Sequence, residues 1–589
     1  QCVPDGAVWS AEQQQVAEAG VRRVGGAMAG DTWTLLAPRL GGHAHELSVL
    51  RQGACEKHRR GLVPEEHYAR QVACLDRSEA ALSELVGLLG RADATAVTNA
   101  NRAALQLPSP SSCTDIDRLL TDEPAVEDPA LATRVAELRR QLARASTEES
   151  AGLYDEAAAR ADLVVKEATQ LSYRPLRAEA LVRRGSAWMQ LGRPEASTDL
   201  DDALWAALAS EQRRVAAEAA AKRVFVRADA QGEDRDATEA IAMARSLVER
   251  VGAADWRTRW VLSNNVGIVL DLRGDGREAL AAFERALSEI PPQDDRGRFE
   301  RATTLTNMVF VQQRLGQLEL AARSGRRAIE ETEAVLGPTH PRALETRVEL
   351  ARAHRFAGRY ADARASLDDL FARAPDAAPP IAAVFEAAVV ARHQGQRESA
   401  RQWIERGQAI REPPPPAMWL EAFAMEEAMV AAAGGDDSPL DRLAVRGIDI
   451  GADRRAEVLL ALGRPADAEA LLTPRVDVDD PTRYPDYTTS LLGRALVAQQ
   501  RWSEAERRLA PLFESEGLGE RLGALEQARA LLAMAAAQWG LGDTDDASAR
   551  VGEAAEVLAT FDRQSVPVRE LETVRAMIAG TAENTPPTP

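Results

Sequence analysis

Aromatic residues make up only 4% of this 589-residue chain, and lysine occurs just three times, at Lys57, Lys166 and Lys222. Strands favour aromatic and β-branched side chains, so their scarcity argues against a sheet protein, and the abundant alanine and leucine argue for closely packed helices. The cations are almost all arginine, and they are outnumbered: 72 Lys+Arg stand against 91 Asp+Glu, a formal net charge of −19. A surface of that sign repels phosphate backbones and disfavours nucleic-acid binding unless a local basic patch interrupts it. No run approaches the ~18 apolar residues that would span a bilayer, and no signal-peptide pattern is present. The chain begins at Gln1 rather than methionine and reads as a processed piece, while residues 581–589, polar and proline-rich, read as a disordered tail. A chain of this length exceeds what one hydrophobic core serves.

Cysteine is confined to one end. Cys2, Cys55, Cys74 and Cys113 all lie within the first 113 residues, and the remaining 476 have none. Cys55 falls near the end of one expected helix and Cys74 a few turns into the next, with their midpoint at Pro64–Glu65, beside the expected turn. That spacing predicts a Cys55–Cys74 disulfide across an antiparallel pair, worth ~3 kcal/mol in the chain-entropy account. Cys2 and Cys113 then pair by exclusion. The alternative is four buried free thiols in a cytosolic protein. Zinc suits the pattern less, because CxxC and CxxxC spacings are absent. Disulfides imply an oxidising, extracytoplasmic compartment.

Four helices are expected before residue 125. Ser10-Ala11-Glu12-Gln13 has capping-box spacing and opens the first. A second spans Thr32 to Arg60, interrupted or bent at Pro38, and a third starts at Pro64 and runs to about Leu89. Asp93 caps a fourth that reaches Leu105. Pro108 to Ser112 and Asp122-Glu-Pro124 read as a linker, giving a module over 1–125 and a second region over 126–580.

From about residue 130 a phrase recurs: glycine, one or two residues, an aromatic or small apolar side chain, then alanine a turn later. It stands at Gly152…Ala157, Gly192…Ala196, Gly274…Ala279, Gly316…Ala321, Gly358…Ala363, Gly395…Ala400, Gly463…Ala468, Gln500…Ala505 and Gly542…Ala547, with weaker copies at Gly232 and Gly434. From Gly152 to Gly395 the spacings are 40, 40, 42, 42, 42 and 37 residues. Self-similarity at a near-fixed period indicates a solenoid. Glycine ends a first helix in a left-handed cap, and alanine lets a second helix approach it closely. Met425 and Met429, four apart, read as core filler.

The copy at Asn264 to Pro292 has Gly267, Leu270, Gly274, Ala279, Phe283, Ala286 and Pro291 at the spacing of the tetratricopeptide repeat family, which the chain resembles. The 42-residue copies around Leu336-Gly-Pro-Thr-His-Pro341 are similar to the longer variant of kinesin light chains. This resemblance implies an all-α, right-handed superhelical solenoid of about eleven helix pairs. The phrases Ala54-Cys55-Glu56, Ala73-Cys74-Leu75-Asp76-Arg77 and Leu153-Tyr-Asp-Glu-Ala157 resemble the C-terminal part of myxobacterial-type serine/threonine protein kinases. In that family a cytoplasmic kinase precedes one membrane helix, and the cysteine module and repeats lie outside. The chain itself has no glycine-rich phosphate loop, HRD or DFG.

Nothing here reads as catalytic, and no cofactor is called for. His43-Ala-His45 are two apart and make poor joint metal ligands on a helix, and His340 reads as a structural loop residue. The family presents each first helix to a concave groove. Asn265 and Asn307, 42 residues apart, hold equivalent first-helix places and suit peptide-backbone hydrogen bonds. Arg314, Arg352 and Arg355 suit carboxylates. The expected partner is therefore a protein or peptide, with no nucleic acid and a membrane reached only through a missing N-terminal segment. A homo-oligomer or fibre subunit and a cytoplasmic scaffold are the rival readings.

Overall fold

A computed structural model describes residues 9–91, 93–122, 126–231, 234–252, 255–292, 294–373, 379–410, 416–445, 450–476, 485–514 and 517–580. Cys2, Gly232, Glu123-Pro124 and the tail at 581–589 lie outside them. Every regular element among the described residues is helical. The chain forms two compact units, Gln1–Met308 with Arg327–Ala343, and Val309–Arg326 with Leu344–Pro589.

Unit 1 opens with α1 (Ala11–Val24), α2 (Ala29–Arg59), α3 (Glu65–Gly90) and α4 (Ala94–Gln106), then a 3-10 turn at Pro110–Thr114 and α5 (Ile116–Asp122). The starts follow the local chemistry. Ser10 and Gln13 exchange side-chain-to-backbone hydrogen bonds of 3.3 and 2.9 Å, a closed capping box, and Asp93 accepts the Ala96 N–H at 2.7 Å. α2 is not interrupted at Pro38. It gives up one ladder bond there, but Leu36 and Leu40 on either side are fully buried and hold the helix in the module core.

The cysteine pairing differs from the expectation. Cys74 on α3 is bonded to Cys113, with 5.5 Å between Cα atoms, so neither Cys55–Cys74 nor Cys2–Cys113 forms. Cys55 is itself disulfide-bonded. The reason lies in the segment read as a linker: Pro110 and Cys113 are buried, and the 3-10 turn they form packs on α3 beside Cys74.

Helical hairpins follow: α6 (Pro129–Ser150) with α7 (Tyr154–Gln170), α8 (Arg174–Gln190) with α9 (Glu195–Ala209), α10 (Arg213–Gln231) with α11 (Asp234–Val248), and α12 (Trp256–Leu272) with α13 (Gly276–Glu289). The chain continues as α14 (Arg298–Arg314) and α15 (Leu318–Leu336), then α16 (Pro341–Phe356) and α17 (Tyr360–Arg373). Unit 2 adds α18 (Ile381–His393) and α19 (Arg397–Gln408), α20 (Ala417–Ala432) and α21 (Ser438–Val445), and α22 (Ala452–Ala461) and α23 (Pro465–Val476). It ends with α24 (Pro485–Ala498) and α25 (Trp502–Glu514), α26 (Leu518–Leu522), α27 (Ala524–Leu541) and α28 (Thr544–Val557), and α29 (Val566–Ile578). Among the described residues this makes eleven hairpins closed by α29.

The repeated phrase does what its chemistry requires. All nine turn positions have positive φ, from 57° at Gln500 to 95° at Gly542, and all nine alanines that follow are buried. Of the weaker copies, Gly434 passes the left-handed role to its neighbour Gly435. Gly267 lies so close to the Phe283 ring that an added Cβ would sit 2.5 Å from it. Met425 and Met429 are core residues of unit 2.

In each unit, consecutive first helices touch: α6, α8, α10 and α12 in unit 1, and α18, α20, α22, α24 and α27 in unit 2. In unit 1 the second helices are spread, and a cavity of about 540 Å3 opens between α11 and α13 over α12. In unit 1 the first helices therefore line the inner side of the row.

Candidate binding surface

In unit 1 the N-terminal module is anchored at both ends of the row of hairpins. Its α3 packs on α6. At the other end Arg39 donates to the Asn101 side chain at 2.7 Å and to the carbonyls of Val335 and Ala334 at 2.7 and 3.0 Å. His340 bonds the Thr98 carbonyl at 2.8 Å through Nε2 and accepts the Arg342 N–H at Nδ1, which makes it a neutral clamp between loop and module. Burial pushes its pKa down, in keeping with that role. Thr339 donates to Asp31, and Phe299, Val335 and Leu336 pack on Leu105.

The inner face of α6, α8 and α10 is a ladder of charges. Arg139 is bidentate to Glu179 at 2.8 and 3.0 Å, and Gln212 donates to the same carboxylate at 2.9 Å. Arg183 pairs with Glu218, which also receives Lys222 at 3.1 Å. Burial raises the Glu218 carboxyl, but Arg183 and Lys222 overcome it and hold the group at about 2. Lys222 also donates to Ser186, which donates to Glu149.

Between this face and the module lies an open pocket of about 320 Å3. Arg77 of α3 and Arg118 of α5 line one wall beside Cys74, and Arg139, Arg183 and Arg214 line the other. Glu179 and Glu218 supply the only carboxylates among its described lining residues, and Leu119, Leu142, Val182 and Val215 supply apolar surface. Cys113, bonded to Cys74, holds the segment that leads into α5.

The residues singled out in the sequence stand on the first helices α12, α14 and α16. Asn265 and Asn307 belong to unit 1 and stitch first helices together: Asn265 donates to the Ala221 carbonyl at 3.1 Å, and Asn307 donates to Asn264 Oδ1 at 3.2 Å. Arg314, Arg352 and Arg355 belong to unit 2. Arg314 is exposed at the end of α14. Arg352 and Arg355 converge on the buried Glu386 at 2.9 and 2.7 Å, and Arg352 also grips Glu349. They open a buried network that continues with Arg392–Glu426 and with Arg529, which reaches Glu457, Glu526 and Glu570. In unit 2 the carboxylates are internal, and the arginines serve them. The arginines of the unit 1 cavity went unnoticed in the sequence, although Arg139 and Arg183 stand one repeat apart and Arg77 follows Cys74 by three residues.

His43 makes no metal site with its neighbour. Its Nε2 lies 3.0 Å from Ser78 Oγ, and Ser78 donates to the Pro108 carbonyl at 2.6 Å, so the ring is a neutral donor tying α2 to α3 and the loop after α4. Burial lowers its pKa to about 4. His45 is exposed.

With this geometry in view, the class is plain: a solenoid of helical hairpins with a polar inner face. Residues 300–376, in the stretch from α14 to α17, match the family model described as "Tetratricopeptide repeat". Among solved structures it is similar to "Human IFIT1 dimer with m7Gppp-AAAA", with 13% identity and a TM-score of 0.34, over 77% of this chain and 95% of that one. No curated protein matches. No helix among the described residues is long and apolar enough to cross a membrane.

Proposed function

We propose that this chain is a non-catalytic binding protein that recognises a protein or peptide partner through the inner face of its first helices in unit 1. The observation that carries the reading is the ladder from Arg139 to Lys222. It is polar, and its members Arg183 and Glu218 keep 23% and 29% of their side-chain surface in solvent, so it is satisfied without being sealed. A surface of this kind offers charge-assisted hydrogen bonds at little cost of reorganisation.

The compartment in this reading is extracytoplasmic, supported by the bonded state of Cys55, Cys74 and Cys113. The parent we propose is a bacterial serine/threonine kinase whose sensor this chain forms, supported by the cysteine phrases of the module. The test is selection of peptides on the oxidised protein, followed by hydrogen exchange of the complexes. Protection on α6, α8 and α10 is expected. Peptides that protect only the outer helices α7 and α9, or a selection that yields none, would overturn the reading.

A further inference from the structure

The outer side of unit 1 carries a pocket of its own. It opens between the second helices α11 and α13 to about 540 Å3, within the range of small-molecule sites, and α12 forms its floor. That floor is largely apolar: Leu262, Val266 and Leu270 follow one another along α12, with Val248 and Ala282 beside them. The stripe from Leu262 to Leu270 covers about 12 Å of helix. No member of the ladder from Arg139 to Lys222 lines it.

One polar side chain interrupts the floor. Ser263 is only 8% exposed, it lines the pocket, and its hydroxyl has no hydrogen-bond partner among the described residues. The charges near it are placed by one ion pair. Arg259 of α12 and Glu289 of α13 bond at 2.5 Å across their hairpin and close one end of the pocket. One turn further in on each helix stand Ser263 and Arg285, and Arg245 lines the wall that α11 contributes. Neither Arg245 nor Arg285 has an ion-pair partner among the described residues. The remaining carboxylates of the rim stand toward its ends, Glu249 just past α11 and Glu278 in the first turn of α13.

We propose that this pocket binds an aliphatic monocarboxylate of the medium-chain fatty acid class. Its head lies between Arg245 and Arg285 over the Ser263 hydroxyl, and its chain runs along Val266 and Leu270. Guanidinium forks match the paired oxygens of a carboxylate, and a serine hydroxyl donates to one of them. Burial of the methylenes on the apolar stripe contributes the rest of the affinity. The site shares no residue with the inner ladder, so this reading and peptide recognition stand or fail separately.

Calorimetry on the oxidised full chain at physiological ionic strength tests it, with octanoate and decanoate as probes and acetate, octanol and octylamine as controls. Saturable binding of both probes is expected, tighter for decanoate, with each control weaker by about tenfold or more. Arg245→Gln and Arg285→Gln should each weaken decanoate by about tenfold, the usual effect of a charged hydrogen bond. Ala281→Trp, on the rim, should abolish binding by filling the pocket. All three positions are exposed, so the variants keep the fold. Arg22→Gln, on the exposed face of α1, should leave binding unchanged. No saturable binding at millimolar decanoate would leave the groove to a partner's helix and overturn the proposal. Octanol or octylamine binding as tightly as decanoate, or binding indifferent to both arginine variants, would overturn it equally.

Discussion

Arg529 shows what a single side chain carries in unit 2. Only 10% of its side chain is exposed, and it lies 2.8, 3.2 and 3.5 Å from Glu526, Glu570 and Glu457. Burial alone would lower its pKa, but the three carboxylates raise it well above the ordinary value. Arg529→Ala leaves those acids facing each other in a buried site, and removing one partner of such a group costs about 3–5 kcal/mol. Urea denaturation should show a loss of that size, and a loss below about 1 kcal/mol would mean that the network is solvated.

His43 gives a titration with a definite sign. Its folded pKa, about 4, lies below the unfolded value, so the unfolded chain takes up a proton that the folded chain refuses. Its contribution to stability is complete above about pH 6.5 and drains away as the pH falls toward 4. NMR of the imidazole should give a midpoint near 4, and a midpoint near 6.5 would contradict the buried Ser78 contact. At this scale the sequence gives residue types and leaves their partners open. Asn265, Arg352 and Arg355 have the right chemistry for a ligand, but whether a polar group serves a ligand or the next helix depends on what the neighbouring repeat places opposite it, here Ala221 and Glu386.

At the scale of elements the period made the chain readable. Each turn position depends on residues within a few places of itself, and glycine and alanine report backbone conformation and close approach directly. Gln500 is the informative exception: at φ 57° it keeps the left-handed turn without glycine. Gln500→Gly should therefore stabilise by a few tenths to about 1 kcal/mol. Gly267→Ala should destabilise by about 1–3 kcal/mol, since its Cβ would press on the Phe283 ring. Equal effects of the two changes on thermal melting would refute this account of the repeat.

The cysteine pairing was not readable in the same way. It hinges on whether Pro108 to Thr114 is a linker or a packed turn, and only the burial of Pro110 and Cys113 decides that. The bond closes a separation of 39 residues, and Cys113→Ala should cost unit 1 about 4 kcal/mol in the chain-entropy account. A chemical denaturation midpoint that does not move would count against the bond.

The whole chain is organised by contacts far apart in sequence, which no local pattern announces. In unit 1 the module reaches across to the loop around His340. In unit 2 the segment before α29 returns to α16 and α17. The Asp562 N–H donates to the Gly358 carbonyl at 2.9 Å, its carboxylate accepts the Ala361 N–H at 2.7 Å, and Phe561 stacks edge-on against Tyr360. Each unit thus fastens its beginning to its end, and the network of unit 2 is buried and self-matched.

The wall that carries α5 and the compartment we propose both rest on the Cys74–Cys113 bond. The most direct test is therefore disulfide mapping of protein isolated from its native host without reductant, digested under denaturing, alkylating conditions. The account predicts a cross-linked peptide pair containing Cys74 and Cys113, with neither cysteine nor Cys55 alkylated. A Cys55–Cys74 pair, or free and alkylated thiols at these positions, would contradict it.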